Sequence, residues 1–146
     1  MSELNIIEIQ NKIVEEFEAM QEWDERYAQI IKLGKELPPL PEEIKNNKYK
    51  IVGCQSQVWI HAQIENGKVY FMADSDAMIV KGLIALLVKV YSGRTPQEIL
   101  TTPPDFLKKL GIDSHLSPTR KNGLAAMLKQ IQMYAFVFKT MADKQK

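Results

Sequence analysis

Apolar residues recur at helical spacing through Ile6, Ile9, Ile13, Phe17 and Met20, and Asn5 with Glu8 outlines a capping box in front of them. A second run, Trp23, Tyr27, Ile30 and Ile31, predicts a short helix that stops at Gly34 in a left-handed cap. Leu37-Pro38-Pro39-Leu40-Pro41 cannot be helix interior, because three prolines remove amide donors and fix φ; it reads as an extended brace, with Pro41-Glu42-Glu43 opening one further turn. The period then changes to two. Val58, Ile60, Ala62 and Ile64 alternate with Trp59, His61 and Gln63, and Asn66-Gly67 supplies the φ > 0 pair of a tight turn into Val69, Phe71 and Ala73. Residues 48–52 are expected to add a third strand.

Helical spacing resumes with Ile79, Leu83, Leu86, Leu87 and Val90, with Ser75 as the expected cap before and Gly93 after. So few polar positions predict the central buried helix. Thr95-Pro96-Gln97-Glu98 is a strong start signal, Phe106 to Leu110 forms a short helix ended by Gly111, and Ser117-Pro118 opens the longest helix. Its stripe runs Leu124, Met127, Leu128, Ile131, Tyr134, Phe138 and Met141. Helices, a small antiparallel sheet of about three strands, then helices again predict an α+β fold with helices on one sheet face, in a single domain over 1–146.

Composition narrows the function. With 19 basic and 18 acidic residues in 146, no global field draws the chain to nucleic acid or to a membrane surface. The charge is uneven: residues 1–49 hold 11 acids and 6 bases, the remainder 7 and 13, which solvated helix faces explain as readily as partner steering. One cysteine excludes an intramolecular disulfide, and Cys54, His61 and His115 are too few for a structural zinc site. The first twenty residues carry five glutamates and one lysine, unlike a signal or transit peptide. The longest apolar stretch, Ala77 to Tyr91, carries two lysines and spans about 22 Å as a helix, short of a ~30 Å hydrocarbon core. The expectation is a soluble cytoplasmic protein with a reduced thiol, binding no metal or cofactor, no nucleic acid and no membrane.

Cys54 stands in Gly53-Cys54-Gln55-Ser56-Gln57, a small polar stretch between apolar flanks. It admits two readings, a thiol displayed at a turn and a buried core cysteine. An ordinary thiol titrates near ~8.5, so a nucleophilic role calls for a positive potential nearby. Ser117-Pro118-Thr119-Arg120 offers one, since a helix N-terminus presents amides and a positive dipole end and Arg120 adds a guanidinium. Arginine there runs against the dipole preference; an anion or a carboxylate such as Asp74 or Asp76 would compensate, and an ordinary salt bridge is the simpler alternative. His61 and His115 enter only as partners for Cys54 in a thiol hydrolase, and Trp59 and Tyr91 read as packing residues.

These residues also carry a resemblance. Gly53-Cys54-Gln55-Ser56-Gln57-Val58-Trp59 resembles the cysteine loop of the SufE family of sulfur-acceptor proteins. Trp23-x-x-Arg26-Tyr27 with Leu33-Gly34 and Leu37-Pro38, Ser75-Asp76-Ala77-x-Ile79-Val80-x-Gly82-Leu83 with Tyr91-x-Gly93-x-Thr95-Pro96, and Leu116-Ser117-Pro118-Thr119-Arg120-x-Asn122-Gly123-Leu124 are similar to three further blocks of that family, in order, across residues 23–127. The resemblance implies an α+β fold shared with IscU-type iron–sulfur scaffolds. It implies that Cys54 accepts persulfide sulfur from a pyridoxal-phosphate cysteine desulfurase of the SufS or CsdA kind, stimulates its turnover, and passes the sulfur to a SufBCD-like cluster scaffold. Arg120 would then stabilise the thiolate or its loop, and Gly53, Gln55, Ser56, Asp74 and Asp76 would meet the partner. A protected resting position for Cys54 is a further expectation, as is a homodimer. A hydrolase, or an adaptor that activates the desulfurase by docking alone, would be the alternatives.

Overall fold

In the computed structural model, residues 5–51 and 56–144 are described. Helix α1 (Ile6–Glu18) begins with the expected capping box, the Asn5 side chain accepting from the Glu8 amide at 2.8 Å and Glu8 from the Asn5 amide at 3.2 Å. It buries Ile6, Ile13, Val14 and Phe17 along one stripe. Helix α2 (Trp23–Lys35) follows, and Arg26 ties its start to the segment just after α1 and to the Leu110 turn, donating through Nε to the Met20 carbonyl at 2.9 Å and through Nη1 to the Leu110 carbonyl at 2.9 Å. The hairpin of β1 (Val58–Glu65) and β2 (Lys68–Ser75) turns at Asn66 (φ 53°) and Gly67 (φ 78°), as the Asn-Gly pair predicts.

Helix α3 (Met78–Tyr91) is the centre, with ten of its 14 residues buried, so its apolar faces meet neighbours on nearly every side. Val58, Ile60, Val69, Phe71 and Ala73 lie under it and α7. Each fully buried aliphatic side chain here contributes about 1.5–3 kcal/mol. Helices α4 (Pro96–Thr101), α5 (Phe106–Lys109) and α6 (Ile112–His115) lead to α7 (Pro118–Lys144). The Thr95–Glu98 capping box is formed, Gly93 and Gly111 hold positive φ, and the Tyr134 hydroxyl on α7 donates to the Ile60 carbonyl of β1 at 3.0 Å. Tyr91 is buried and donates to the Thr102 carbonyl at 3.0 Å; burial, with Asp105 adding to it, pushes its phenol up to about 12.

Four expectations are corrected. The sheet has two strands among the described residues, because residues 41–49 run in consecutive turns and meet β1 through a single bridge at Lys50 and Trp59. The far edge of β2 is met likewise by Arg94 at Val69, so both hairpin edges are covered by short bridges. Gly34 does not stop α2 in a left-handed turn; it lies inside the helix, where it allows α2 and α3 to approach until a Cβ on Gly34 would stand 2.7 Å from the Gly82 amide nitrogen. Ser75 is the last residue of β2 rather than the helix cap, since the Asp76 backbone is tied to Gln57 and α3 starts only after Ala77. Met141 is half exposed, beyond the point where α7 leaves the core.

Candidate functional site

The first turns of α3 and α7 converge with Ser56 around a cavity of about 510 Å³. Ala77, Ile79, Val80, Leu83 and Met127 form its apolar walls; Ser56, Ser117, Thr119 and Arg120 bring polar groups to it. The helical spacing that buries Ile79, Val80 and Leu83 in the core also turns them toward this space. On the α7 side, the Ser117 side chain accepts from the Arg120 amide at 3.3 Å and its carbonyl from the Lys121 amide at 3.0 Å, so Ser117 acts as the cap. The first turn of α7 has no acid. The dipole end and the Arg120 guanidinium therefore add, leaving a positive rim beside an apolar wall. Such a pairing suits a soft, polarisable anion better than a strongly hydrated one.

The loop expected to carry the thiol is held at both ends. The Ile51 amide donates to the Val58 carbonyl at 2.8 Å. On the other side, the Gln57 amide donates to Asp76 Oδ1 at 3.0 Å and the Asp76 amide returns a bond to the Gln57 carbonyl at 3.2 Å. Gly53, Cys54 and Gln55 lie outside the described residues; Ser56, the next residue along, lines the cavity. Of the residues singled out in the sequence, Ser56 and Arg120 are brought together. Asp76 is exposed nearby, where its carboxylate anchors the loop base.

Asp74 does not line this cavity. Its side chain is 9% exposed and is gripped by Lys45 Nζ at 2.9 Å and Lys81 Nζ at 3.2 Å, while accepting from the Ser75 amide at 2.8 Å. Neither Asp74 nor Asp76 pairs with Arg120, which has no carboxylate partner among the described residues. Burial alone would raise the Asp74 pKa, but the bonds from Lys45, Ser75 and Lys81 outweigh it and hold the carboxyl below the ordinary range; the Lys45 ammonium is raised chiefly by its bond to Asp74. The sign follows. A depressed carboxylate stabilises the fold above its unfolded pKa and loses that contribution as pH falls through the folded value, and a raised lysine loses its own as pH rises beyond its ordinary range. Asp74→Asn is expected to lose about 1–2 kcal/mol at neutral pH. Urea melts across pH should show the gap between the two proteins closing in acid; a gap independent of pH would refute the assignment. Nothing in the sequence pointed to this triad, because Lys45 lies in an irregular turn far from Asp74 along the chain.

Neither histidine lines the cavity. His61 lies edge-on to Tyr49 at 5.0 Å, with its Nδ1 buried and unbonded. His115 ends α6; its ring stacks on Trp23 at 4.1 Å and its Nδ1 is 2.9 Å from the Gly111 carbonyl. Trp59, read in the sequence as a packing residue, is 9% exposed, with Lys45 of the 41–50 segment over its ring at 5.8 Å. Among the described residues no group of three or more His, Cys, Asp or Glu is placed to hold a metal ion, and no helix is long and apolar enough to cross a membrane.

Residues 11–135 match the SufE family model, described as an Fe-S metabolism associated domain. An uncharacterised SufE-like protein of Synechocystis is 44% identical over 127 residues, 87% of this chain and 80% of that protein. An uncharacterised SufE-like protein of Rhizobium meliloti is 38% identical over 130 residues, 86% and 93% of the two chains. SufE-like protein 1, chloroplastic/mitochondrial, of Arabidopsis thaliana is 46% identical over 125 residues, which cover 85% of this chain and 34% of that longer protein. The solution structure of a hypothetical protein from Thermus thermophilus superposes with a TM-score of 0.76 at 25% identity, covering 90% of this chain and 96% of that one.

Proposed function

The chain belongs to the SufE family, associated with Fe-S metabolism, and from that premise we propose that it is a sulfur acceptor working through Cys54. The donor is the persulfide of a pyridoxal-phosphate cysteine desulfurase. The Cys54 thiolate attacks the terminal sulfur, a new S–S bond forms at Cys54, the donor's S–S bond breaks, and the donor cysteine leaves as thiolate. The exchange is redox-neutral and needs no cofactor on this chain. Sulfur then moves on to an iron–sulfur scaffold, in a compartment reducing enough to keep a single thiol free, the cytoplasm by the sequence expectation.

The observation that supports this reading best is the cavity bordered by both Ser56 and Arg120. It sets an electropositive rim and an apolar recess beside the anchored end of the cysteine segment. The rim favours a thiolate or persulfide anion, and the recess offers a dry resting place for a sulfur that water-borne reductants and oxidants would otherwise reach. No histidine is needed, in keeping with the places of His61 and His115 outside the cavity. Single-turnover transfer of labelled sulfur from a persulfurated desulfurase tests the role of the rim. Arg120→Ala should slow transfer about tenfold, the worth of one charge-assisted contact, with thermal stability intact. An unchanged rate would remove Arg120 from the mechanism.

A further inference from the structure

Asp74 stands where the three segments that border the cysteine stretch come together. It lies one residue before the end of β2 and pairs across the hairpin with Trp59 of β1. Lys45 Nζ meets its Oδ2 at 2.9 Å and lies over the Trp59 ring. Lys81 Nζ, from the first turn of α3, meets Oδ1 at 3.2 Å, and the Ser75 amide donates to the same oxygen at 2.8 Å. Each contact leads to a boundary of the stretch or of the cavity. Lys45 belongs to the segment that runs on to Tyr49 and Ile51, whose backbone pairs with Ile60 and Val58 on the upstream side. Ser75 is followed by Asp76, which exchanges two hydrogen bonds with Gln57 on the downstream side. Lys81 belongs to α3, whose Ile79, Val80 and Leu83 wall the cavity.

On the premise that the chain is a sulfur acceptor, we propose that Asp74 is a positioning residue for that reaction: its carboxylate fixes the two boundaries of the cysteine stretch, Ile51 and Gln57, relative to the α3 wall, and takes no part in the exchange itself. Stability alone does not call for this arrangement. Enclosing a carboxylate at 9% exposure costs desolvation that two ammonium groups roughly repay, so apolar side chains would hold the same elements together about as firmly. They would not supply direction. Donors from three segments converge on two oxygens, and a shift of any one of them lengthens a charge-assisted bond, whereas an apolar contact tolerates sliding. Sulfur exchange needs that precision, since the reacting atoms must meet within about 3–3.5 Å and a displacement of about 1 Å costs about a hundredfold. Asparagine at this position would keep one acceptor oxygen and turn a donor toward two ammonium groups.

Single-turnover transfer of labelled sulfur from a persulfurated desulfurase, with this chain varied to saturation, tests the role beside urea melts that establish which variants are folded in the assay. Asp74→Asn should lower the maximal rate about tenfold and leave the half-saturating concentration within about twofold. Lys45→Met should act in the same way, and Lys45→Arg, which keeps a donor within reach of Asp74, should return the rate to within about twofold of wild type. A triad that merely stabilises the fold leaves transfer at the wild-type rate in every variant that stays folded, and that result would overturn the proposal. So would a raised half-saturating concentration at an unchanged maximal rate, the signature of a docking contact, or a Lys45→Arg chain as slow as Lys45→Met. Alkylation of Cys54 by iodoacetamide in the chain alone reads the same property without a donor. Asp74→Asn should move its rate about threefold or more toward that of the chain unfolded in urea, and an unchanged rate would overturn the proposal. Should the wild-type chain take up no sulfur, the acceptor reading fails, and the alkylation comparison still decides whether Asp74 positions the cysteine stretch.

Discussion

Cys54→Ser is expected to abolish sulfur acceptance altogether, because a serine hydroxyl offers neither a populated anion at neutral pH nor the polarisable sulfur that exchange requires. In a steady-state assay with a cysteine desulfurase and free cysteine, the wild-type chain should raise turnover by clearing the enzyme's persulfide, and the serine variant should leave the rate at its basal level. The comparison also separates acceptor from adaptor. An adaptor acts by docking, so a serine variant that still stimulates turnover would assign the effect to surface contact alone. A hydrolase would lose activity with His61→Ala or His115→Ala; the acceptor should be indifferent to either, in line with their places against Tyr49 and Trp23.

Gly82→Ala is expected to be the most damaging single-methyl change in the fold. A Cβ there would overlap the Ile30 carbonyl oxygen and stand 2.6 Å from Ile30 Cγ2 and 2.7 Å from the Ile30 carbonyl carbon. The obstacle is largely the backbone of α2, which cannot rotate aside, so the helices must separate along a contact on which much of the core depends. The gain of about 1 kcal/mol in helix propensity is outweighed by a separation that costs about 3 kcal/mol or more. For a chain of this length the melting temperature should fall by about 6–12 °C. Ile79, Val80 and Leu83 on the same helix wall the cavity, so acceptance should weaken as well. Gly67→Ala is the control: nothing lies within 4 Å of its Cβ, only φ of 78° opposes it, and about 1 kcal/mol is the expected loss. Equal melting temperatures for wild type and Gly82→Ala would show that α2 and α3 do not meet as described.

The contrast between these two glycines marks what the sequence makes legible. Asn66-Gly67, Asn5 with Glu8, and Thr95 with Glu98 are local devices whose partners lie within a few residues, and each was readable as it stands. Gly34 was misread for the opposite reason. Its partner, Gly82, lies in another helix, and a glycine near a helix end signals a cap when only its neighbours are visible. The third strand failed similarly: residues 48–51 have the composition of a strand, but the turns before them allow a single bridge.

The candidate site divides along the same line. The Gly53–Gln57 stretch and the Ser117–Arg120 start stand out in the sequence as candidates, each with a structural alternative beside it. The convergence of Ser56 and Arg120 on one cavity was not legible, since it arises from how α3 and α7 cross. The enclosure of Asp74 by Lys45 and Lys81 was not legible either, since Lys45 lies far from the other two along the chain.

The central claim is that one sulfur atom comes to rest on Cys54, and intact mass under non-reducing conditions reads it directly. After incubation with a cysteine desulfurase and cysteine, the wild-type chain should gain the mass of one sulfur, lose it to dithiothreitol, and show no gain as Cys54→Ala. A chain that accelerates the desulfurase while its own mass never changes would contradict the account.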